Sequence, residues 1–326
     1  MPDPLLRLLH SIVVTDHVVA ADVVEVNDLV VNPISVVLLA IRPLNETSTL
    51  LNYARYLQIC DSMNRISILY RGASVFSMSG RDAAALNYLR HGIVPREANS
   101  DDVDNERRCV ILPILLGRFA YDPSCCFPAT RRGELTIELD IDIADTGYDG
   151  LRYSIETIEL LGATPGEYER KTSIARTFNA TGDQDFVLPP GNLVRGCLLF
   201  GTTAYGGAVP APTWQNTAAY LENQQHSYAS TAFEVSQMLG ALMGRQPPLL
   251  DLHDHRFEPV AGVLTSGPIR QGWGGWENYS YLDFDPTRDD TFAIDTEGAS
   301  NFFLRTNVGT ADAARVIPIE RVKLGA

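Results

Sequence analysis

Two stretches of this chain repeat the same order of features about half a chain apart. In each stretch an Asp-Pro pair precedes a Gly, an apolar strand pattern and a closing strand that contains Ile-Glu; the copies are Asp122–Leu160 and Asp285–Leu324. The matched Asp-Pro pairs, glycines and Ile-Glu pairs lie 163, 165 and 164 residues apart in a chain of 326 residues. Because half of this chain is long enough to bury a core of its own, the repeat predicts two similar domains, 1–164 and 165–326.

The residues from Glu134 to Ile143 alternate as a half-buried β-strand does. Runs rich in Val and Ile at 12–19, 23–31 and 34–41 have the β-branched density of further strands. Many short strands without a βαβ rhythm predict an all-β chain of two tandem β sandwiches. The predicted inward residues of the alternating strand are Leu135, Ile137, Leu139, Ile141 and Ile143, and the outward ones are Glu138, Asp140 and Asp142.

One short helix is predicted in each half. Arg81–Leu89 consists of good helix formers and precedes Gly92, and Phe233–Met243 carries apolar residues at helical spacing. Gly162–Gly166 is the predicted linker between the domains. The leucines of Leu5–Leu9 leave two alternatives open, a packed arm or a short amphipathic helix at a membrane surface.

The composition argues against several functional classes. The formal net charge is −14 and no basic run is present, which argues against direct binding of nucleic acid. The N-terminus lacks a secretory signal pattern, so we expect synthesis without export. Five dispersed cysteines predict buried thiols rather than a disulfide framework. The sequence contains no phosphate-binding loop or hydrolase elbow motif, and we expect no cofactor.

The tandem domains, the helix in each and the closing signature resemble a known family, the double jelly-roll major capsid proteins of tailless icosahedral viruses, especially those with an internal membrane. The signature consists of Tyr281–Pro286, Gly298, Asn301–Val308 and Ala314–Leu324. The resemblance implies two jelly-roll sandwiches in a structural, non-enzymatic subunit of the virion capsid, made in the host cytoplasm. It also implies homotrimers of pseudo-hexagonal outline.

The same resemblance implies partners. The homotrimer would contact neighbouring capsomers, and penton and minor capsid proteins would complete the shell. The long loops Gly206–Gln215 and Gly244–Trp276 would form an outer crown or contacts between subunits. The N-terminal arm would lie on the inner side, toward neighbouring capsomers or an internal viral membrane.

A second hypothesis is a bicupin-like or carbohydrate-binding protein with two β domains. His253, His255 and Glu258 have the residue types of a cupin metal site, but their spacing is short and no second motif supplies another His. The loop residues Trp273–Trp276, with Tyr279 and Tyr281, allow a sugar-stacking platform, a subunit contact or simple anchoring of the loop.

Two further groups have both a chemical and a structural interpretation. The carboxylates Glu138, Asp140 and Asp142 are either a glycosidase-type set or the solvated face of an edge strand. The adjacent Cys125 and Cys126 are either a redox pair or two buried thiols. We expect the structural interpretation in both cases, and no catalytic, cofactor-binding or metal site.

Overall fold

A computed structural model describes the chain at residues 6–19, 21–27, 29–44, 56–93, 97–98, 109–144, 150–203, 212–233, 235–236, 258–260, 263–265 and 278–325. The first half contains the following elements: β1 (Arg7–Val19), β2 (Ala21–Val26), β3 (Ile34–Leu44), α1 (Tyr56–Asp61), β4 (Met63–Tyr70), β5 (Ala73–Met78), α2 (Gly80–His91), β6 (Glu97–Ala98), β7 (Cys109–Leu115), β8 (Leu135–Asp142) and β9 (Gly150–Leu161).

The second half is built almost entirely from strands. They are β10 (Glu167–Thr172), β11 (Ile174–Thr177), β12 (Gly182–Leu188), β13 (Leu193–Gly201), β14 (Asn216–Leu221), β15 (Gln224–Gln225), β16 (Thr231–Ala232), β17 (Glu258–Val260), β18 (Val263–Thr265), β19 (Tyr279–Asp283), β20 (Ile294–Asp295), β21 (Phe302–Val308) and β22 (Ala313–Lys323). The predicted all-β class is therefore confirmed.

Both halves fold with the same strand order. In the first half, β1-β9-β3-β7 form sheet N-I and β2-β8-β4-β5 form sheet N-II. In the second half, β10-β22-β13-β19 form sheet C-I and β12-β21-β14-β15 form sheet C-II. Each of these four-strand sets has a counterpart with the same order in the other half, whereas the short strands β6, β11, β17, β18 and β20 lie outside the matched sets. This equivalence confirms the predicted pair of jelly-roll sandwiches with matching strand order.

The hydrogen bonds of two buried glutamates fix how the halves correspond. Asn32 Nδ2 donates to Glu159 at 2.6 Å, and Asn192 Nδ2 donates to Glu320 at 3.2 Å. The strand residues paired with these two glutamates each precede a β-bulge. Glu320 is therefore the counterpart of Glu159. The sequence match of Glu320 to Glu156 was wrong by three residues, because the motif Ile-Glu occurs twice in β9.

Each sandwich has an apolar core between its two sheets. The chain passes from β9 to β10 through a turn at Gly162, which has φ 84°. Sheets N-II and C-I then join edge to edge, because β10 pairs in parallel with β5 at Lys171–Phe76 and Thr172–Ser77. The division into domains 1–164 and 165–326 stays a prediction, since one continuous sheet crosses it.

Helix α2 confirms the predicted helix of the first half. The Ser79 side chain accepts a hydrogen bond from the Asp82 backbone N–H at its start, and Gly92 ends it in the left-handed conformation. In the second half, Phe233, Val235 and Ser236 are helical, and the rest of Phe233–Met243 lies outside the described residues.

The structure decides one open alternative in the first half and corrects one expectation. From Arg7 onward the leucine-rich start pairs with β9 as strand β1, so these residues form a packed strand and not an amphipathic helix. The strand that carries Glu138, Asp140 and Asp142 is not an edge, since β8 pairs with β2 on one side and β4 on the other. Glu138 and Asp140 are half-buried and Asp142 is exposed, so the predicted alternation itself is correct.

The two faces of β8 predict opposite responses to truncation. Ile137→Ala removes a side chain that is 1% exposed, and we expect a loss of about 2–5 kcal/mol in the free energy of unfolding. Thr136→Ala, on the outer face of the same strand, should change it by less than about 0.5 kcal/mol. Denaturant unfolding followed by fluorescence measures both values, and equal losses would contradict the assignment of the faces.

Candidate functional site

Sheet C-I buries side chains on both of its faces. Its inner face belongs to the core of the second half, whereas its outer face packs into the core of the first half, against α2. The buried outer-face residues are Leu198, Tyr279, Tyr281, Ile317 and Ile319. Gly196 lies on this face as well, where a Cβ atom would overlap the Tyr281 hydroxyl group. We call this packed boundary between the halves the seam.

A buried ion cluster lies within the seam. Arg90 of α2 donates to both carboxylate oxygens of Glu169 in β10, at 2.6 Å each. Lys171 Nζ lies 2.9 Å from the same carboxylate and donates to the Leu115 carbonyl at 2.7 Å. Arg195 Nη1 approaches Glu169 at 3.3 Å. One carboxylate of the second half therefore binds a cation from the first half and two from its own, through charge-assisted hydrogen bonds.

Burial and charge act in opposite directions on this cluster. Burial alone would raise the pKa of the Glu169 carboxyl, but Arg90, Lys171 and Arg195 outweigh burial and hold that pKa well below its usual value. Burial lowers the pKa of Lys171 to about 8, because the nearby Glu169 offsets only part of the cost of desolvation. Glu169 is therefore ionised at neutral pH. Lys171 loses its proton at a pH only slightly above neutral.

Asp290 extends the cluster toward the surface. Its carboxylate accepts hydrogen bonds from Arg195 Nε and from Arg321 Nη1, both at 2.8 Å, and forms an ion pair with Arg118 of the first half. Arg118 also lies 3.3 Å from Asp285, whose side chain is fully buried. The Asp-Pro pair of the second repeat thus contributes its carboxylate to the joint between the halves.

Asp82, in the first turn of α2, makes another polar contact across the seam. Tyr279 Oη donates to Asp82 at 2.7 Å, and Arg315 Nη2 donates to it at 2.8 Å. Burial raises the pKa of Tyr279 well above its usual value, so the phenol remains a hydrogen-bond donor. Arg315 also lies over the Phe200 ring, 3.8 Å from its centroid. These contacts hold α2 against sheet C-I.

The seam has a counterpart on the other half, the outer face of sheet N-I. The strand registers make Ile111 the counterpart of Tyr279, Leu8 that of Glu169 and His10 that of Lys171. Tyr279 is 0% exposed, whereas Ile111 is 41% and Leu8 is 61% exposed. Ile12, on the same face by its pairing with β9, is 64% exposed. A small apolar cluster of Val36, Leu115 and Ile158 lies between them.

Such a surface indicates an interface. Exposed apolar side chains that form one contiguous patch commonly mark a contact with another molecule. Polar groups share this face: His10 Nε2 lies 2.7 Å from Glu156, and Arg42 Nη1 donates to the Ser154 hydroxyl group at 2.9 Å. The outer face of sheet N-I is therefore the candidate functional site of the described chain.

The structure places two of the predicted aromatic residues elsewhere than expected. Tyr279 and Tyr281 are buried in the seam, so they cannot form part of a sugar-stacking platform or an exposed contact patch. Trp273 and Trp276 lie outside the described residues, as does most of the loop Gly244–Trp276.

The weak metal candidate cannot be placed in space. His253 and His255 lie outside the described residues, and of Glu258 only its backbone position at the start of β17 is described. Within the described ranges, no group of three or more His, Cys, Asp or Glu side chains could hold a metal ion.

Cys125 and Cys126 are separate, buried thiols, which agrees with the structural interpretation. Burial raises the pKa of Cys125 to about 11 and that of Cys126 to about 12, so neither thiol is a ready nucleophile at neutral pH. In the part of the chain that the structure describes, no helix has the length and apolar character needed to cross a membrane.

Sequence analysis did not identify the residues of the seam. A signal for them exists, since Arg195 interrupts the apolar run Leu193–Gly201 and Glu169 lies in a charged strand. A charge within a buried strand indicates a partner charge, but the sequence does not say which residue supplies it.

Glu169→Gln tests the seam. The variant leaves Arg90 and Lys171 buried without their counter-ion, and we expect a loss of about 3–5 kcal/mol in the free energy of unfolding. Asp185→Asn is a matched control, because it breaks the exposed ion pair with Arg305 and should cost no more than about 1 kcal/mol. Denaturant unfolding measures both values; equal losses would mean that the buried cluster contributes nothing particular.

The lowered pKa of Lys171 predicts that the free energy of unfolding depends on pH. Between pH about 8 and 10.5 the unfolded chain holds a proton on Lys171 that the folded chain has released, so this residue makes the free energy of unfolding rise with pH. Lys171→Met should remove that contribution, and Lys323→Met, whose side chain is half exposed, should retain it. Unfolding curves across this pH range provide the test, which fails if the two variants have the same slope.

Comparison with known proteins gives the fold. No protein-family model and no curated protein matches the chain. Among solved structures, it resembles the major capsid protein P2 of bacteriophage PM2, with TM-score 0.65 and 10% identity over 98% of both chains. It also resembles the STIV major capsid protein, with TM-score 0.65 and 10% identity over 97% of both chains. A PBCV-1 virus capsid chain gives TM-score 0.55 and 10% identity, over 97% of this chain and 93% of that one. This chain therefore has the double jelly-roll fold seen in those viral capsid proteins.

Proposed function

We propose that this chain is a viral major capsid protein, a non-enzymatic subunit that assembles into an icosahedral shell. The observation that carries the proposal is the set of exposed apolar side chains Leu8, Ile12 and Ile111 on the outer face of sheet N-I, because the counterpart face of sheet C-I is packed inside the chain. The likeness to viral capsid chains over 97–98% of this chain supports the same function.

The seam suggests how two copies meet. Within one chain, α2 of the first half covers the outer face of sheet C-I. The predicted helix Phe233–Met243 is the counterpart of α2, because Met78 and Thr231 hold the same paired position two residues before Gly80 and Phe233. If the seam is repeated between chains, the helix of the second half of one copy covers sheet N-I of the next.

This contact is head-to-tail, because it joins the second half of one copy to the first half of the next. The number of copies is then set by the rotation at which the ring of copies closes. A heterologous contact gives a closed ring when its rotation divides a full turn. Six sandwiches related by similar seams complete such a ring, and three chains supply them. The result is a homotrimer of pseudo-hexagonal outline, a shape that tiles a capsid together with neighbouring capsomers.

The correspondence between the two halves identifies one pair of residues at the proposed contact between copies. Val235 is the counterpart of Asp82, and Ile111 is the counterpart of Tyr279. Asp82 and Tyr279 are hydrogen-bonded in the seam. Val235 is 52% exposed and Ile111 is 41% exposed. Their contact would remove both apolar side chains from water, which favours association.

The remaining partners belong to the same proposal. The trimers would meet penton and minor capsid proteins in a virion assembled from chains made in the host cytoplasm. Contact with an internal viral membrane, on the inner side of the shell, is proposed for the part of the N-terminal arm that precedes β1, because Arg7–Val19 belongs to sheet N-I. The net charge of −14 supports a role without direct binding of nucleic acid.

Light scattering coupled to size exclusion tests the trimer. We expect a particle of three times the chain mass of 35.8 kDa. Ile111→Asp buries a charge at each contact and should weaken association by about 2 kcal/mol or more per contact. Val187→Asp is the matched control, because Val187 is 63% exposed on the outer face of sheet C-II, away from the proposed contact.

Introducing opposite charges at Ile111 and Val235 tests the same contact more specifically. Ile111→Lys and Val235→Asp should each release monomers, and the double variant should recover trimers because the two charges lie opposite each other. A parent chain that stays monomeric at high concentration would contradict the proposed function. Trimers that tolerate Ile111→Asp as well as they tolerate Val187→Asp would contradict the assigned face.

A further inference from the structure

Backbone pairing as well as side-chain packing crosses the seam. Strand β10 of the second half pairs in parallel with β5 of the first half, at Lys171–Phe76 and Thr172–Ser77. The next residue, Ser173, donates its backbone N–H to the Ser77 carbonyl at 2.8 Å. The edge of β10 that faces away from β22 is thereby paired, and sheets C-I and N-II form one continuous sheet.

Strand β1 is the counterpart of β10, but no strand among the described residues pairs with its corresponding edge. His10 pairs with Ile158 as Lys171 pairs with Ile319, so Ser11 is the counterpart of Thr172. In the described part of the chain β1 pairs with β9 alone, and it lies at the end of its sheet.

An open edge of this kind is unusual. Proteins commonly protect edge strands with Lys, Pro or a covering loop, because unpaired N–H and C=O groups otherwise recruit another chain. β1 is 13 residues long and contains neither Lys nor Pro. Its pairing with β9 shifts register between Ile12 and His17, but Arg7–Ile12 pairs without irregularity. Its apolar side chains Leu8, Leu9 and Ile12 are all exposed. The strand therefore has the properties of a pairing edge that is satisfied in an assembly.

The second half contains the counterpart of β5. The turn Arg71–Gly72 and the turn Glu222–Asn223 both have two consecutive residues with positive φ, and each joins counterpart strands of a hairpin. In the first half the strand after the turn continues as β5 to Met78. In the second half it is interrupted between β15 and β16, at residues 226–230.

The interruption lies where the equivalence places a partner for β1. The second half has two more residues than the first between the matched turn and the matched helix start, and they fall within 226–230. Counting back from the helix starts at Gly80 and Phe233, which follow the last paired residues, makes Ser230 the counterpart of Ser77 and Ala229 that of Phe76. Ser77 and Phe76 are buried, whereas Ser230 and Ala229 are exposed. Two exposed backbone segments thus correspond to a pair that is hydrogen-bonded inside the chain.

We propose that β1 of one copy pairs in parallel with residues 229–230 of the neighbouring copy, with His10 opposite Ala229 and Ser11 opposite Ser230. The pairing extends sheet N-I of one chain into sheet C-II of the next, as β10 and β5 do within a chain. The partner is a second copy, because only this chain carries the counterpart of β5 in the matching register. The inference rests on the proposed trimer and adds a strand contact to it.

Cysteine cross-linking tests the register. Residues directly opposite each other in neighbouring strands lie close enough for a disulfide. Ser11→Cys with Ser230→Cys, in a Cys109→Ser background, should give covalent dimers and trimers under mild oxidation, on denaturing gels without reductant. The background removes the one native thiol that is not buried. Ser11→Cys with Val187→Cys is the matched control and should remain monomeric on the same gel.

Amide hydrogen exchange of the parent chain provides a second readout that needs no substitution. Within residues 10–12, the N–H group of Ile12 is the counterpart of the Ser173 N–H that donates to Ser77. It should exchange about tenfold or more slowly in the trimer than in monomers released by Ile111→Asp, because paired amides exchange only after local opening.

The outcomes separate the two proposals. Trimers with the specific cross-link and slowed exchange support the strand contact. Trimers that give no more cross-link than the control, with unchanged exchange at 10–12, overturn the strand contact and leave the proposed capsid function intact. A parent chain that never leaves the monomeric state overturns the trimer and the strand contact together.

Discussion

The two sandwiches are joined around one buried carboxylate, Glu169, with Arg90, Lys171 and Arg195 around it. Removing ions from water costs several kcal/mol each, so this cluster is not the main source of stability. The apolar outer face of sheet C-I supplies that, by burial against α2. We infer that the cluster instead restricts the geometry, because Arg90 of the first half meets Glu169 of the second through two directed hydrogen bonds. Everything proposed about assembly depends on the relative position of the halves being fixed.

Duplication explains why one chain carries a polar and an apolar version of the same surface. Where the seam has Glu169 and Tyr279, sheet N-I has Leu8 and Ile111. Halves of one chain meet at high effective concentration, so their contact tolerates ions that are costly to desolvate. Separate chains must also overcome the loss of translational freedom, which favours an apolar contact. The exposed face of sheet N-I has that character.

Much of the fold was predictable because local patterns determine it. The alternation in β8 and the helix formers of α2 act over neighbouring residues, and both predictions were correct. The seam was not predictable, because Arg90 and Glu169 are far apart in sequence and only the tertiary fold brings them together. Tyr279 and Tyr281 look like exposed loop aromatics until the second half packs on the first. The repeat was recognised with an error of three residues, since local identity at Ile-Glu outweighed the strand register.

The central claim is that the seam inside the chain is repeated between chains. Cryo-electron microscopy of the purified protein tests it most directly. The account predicts threefold particles with six β lobes in a ring, in which the boundaries within and between chains alternate and superpose. A twofold dimer, or a trimer in which the outer face of sheet N-I points to solvent, would contradict it.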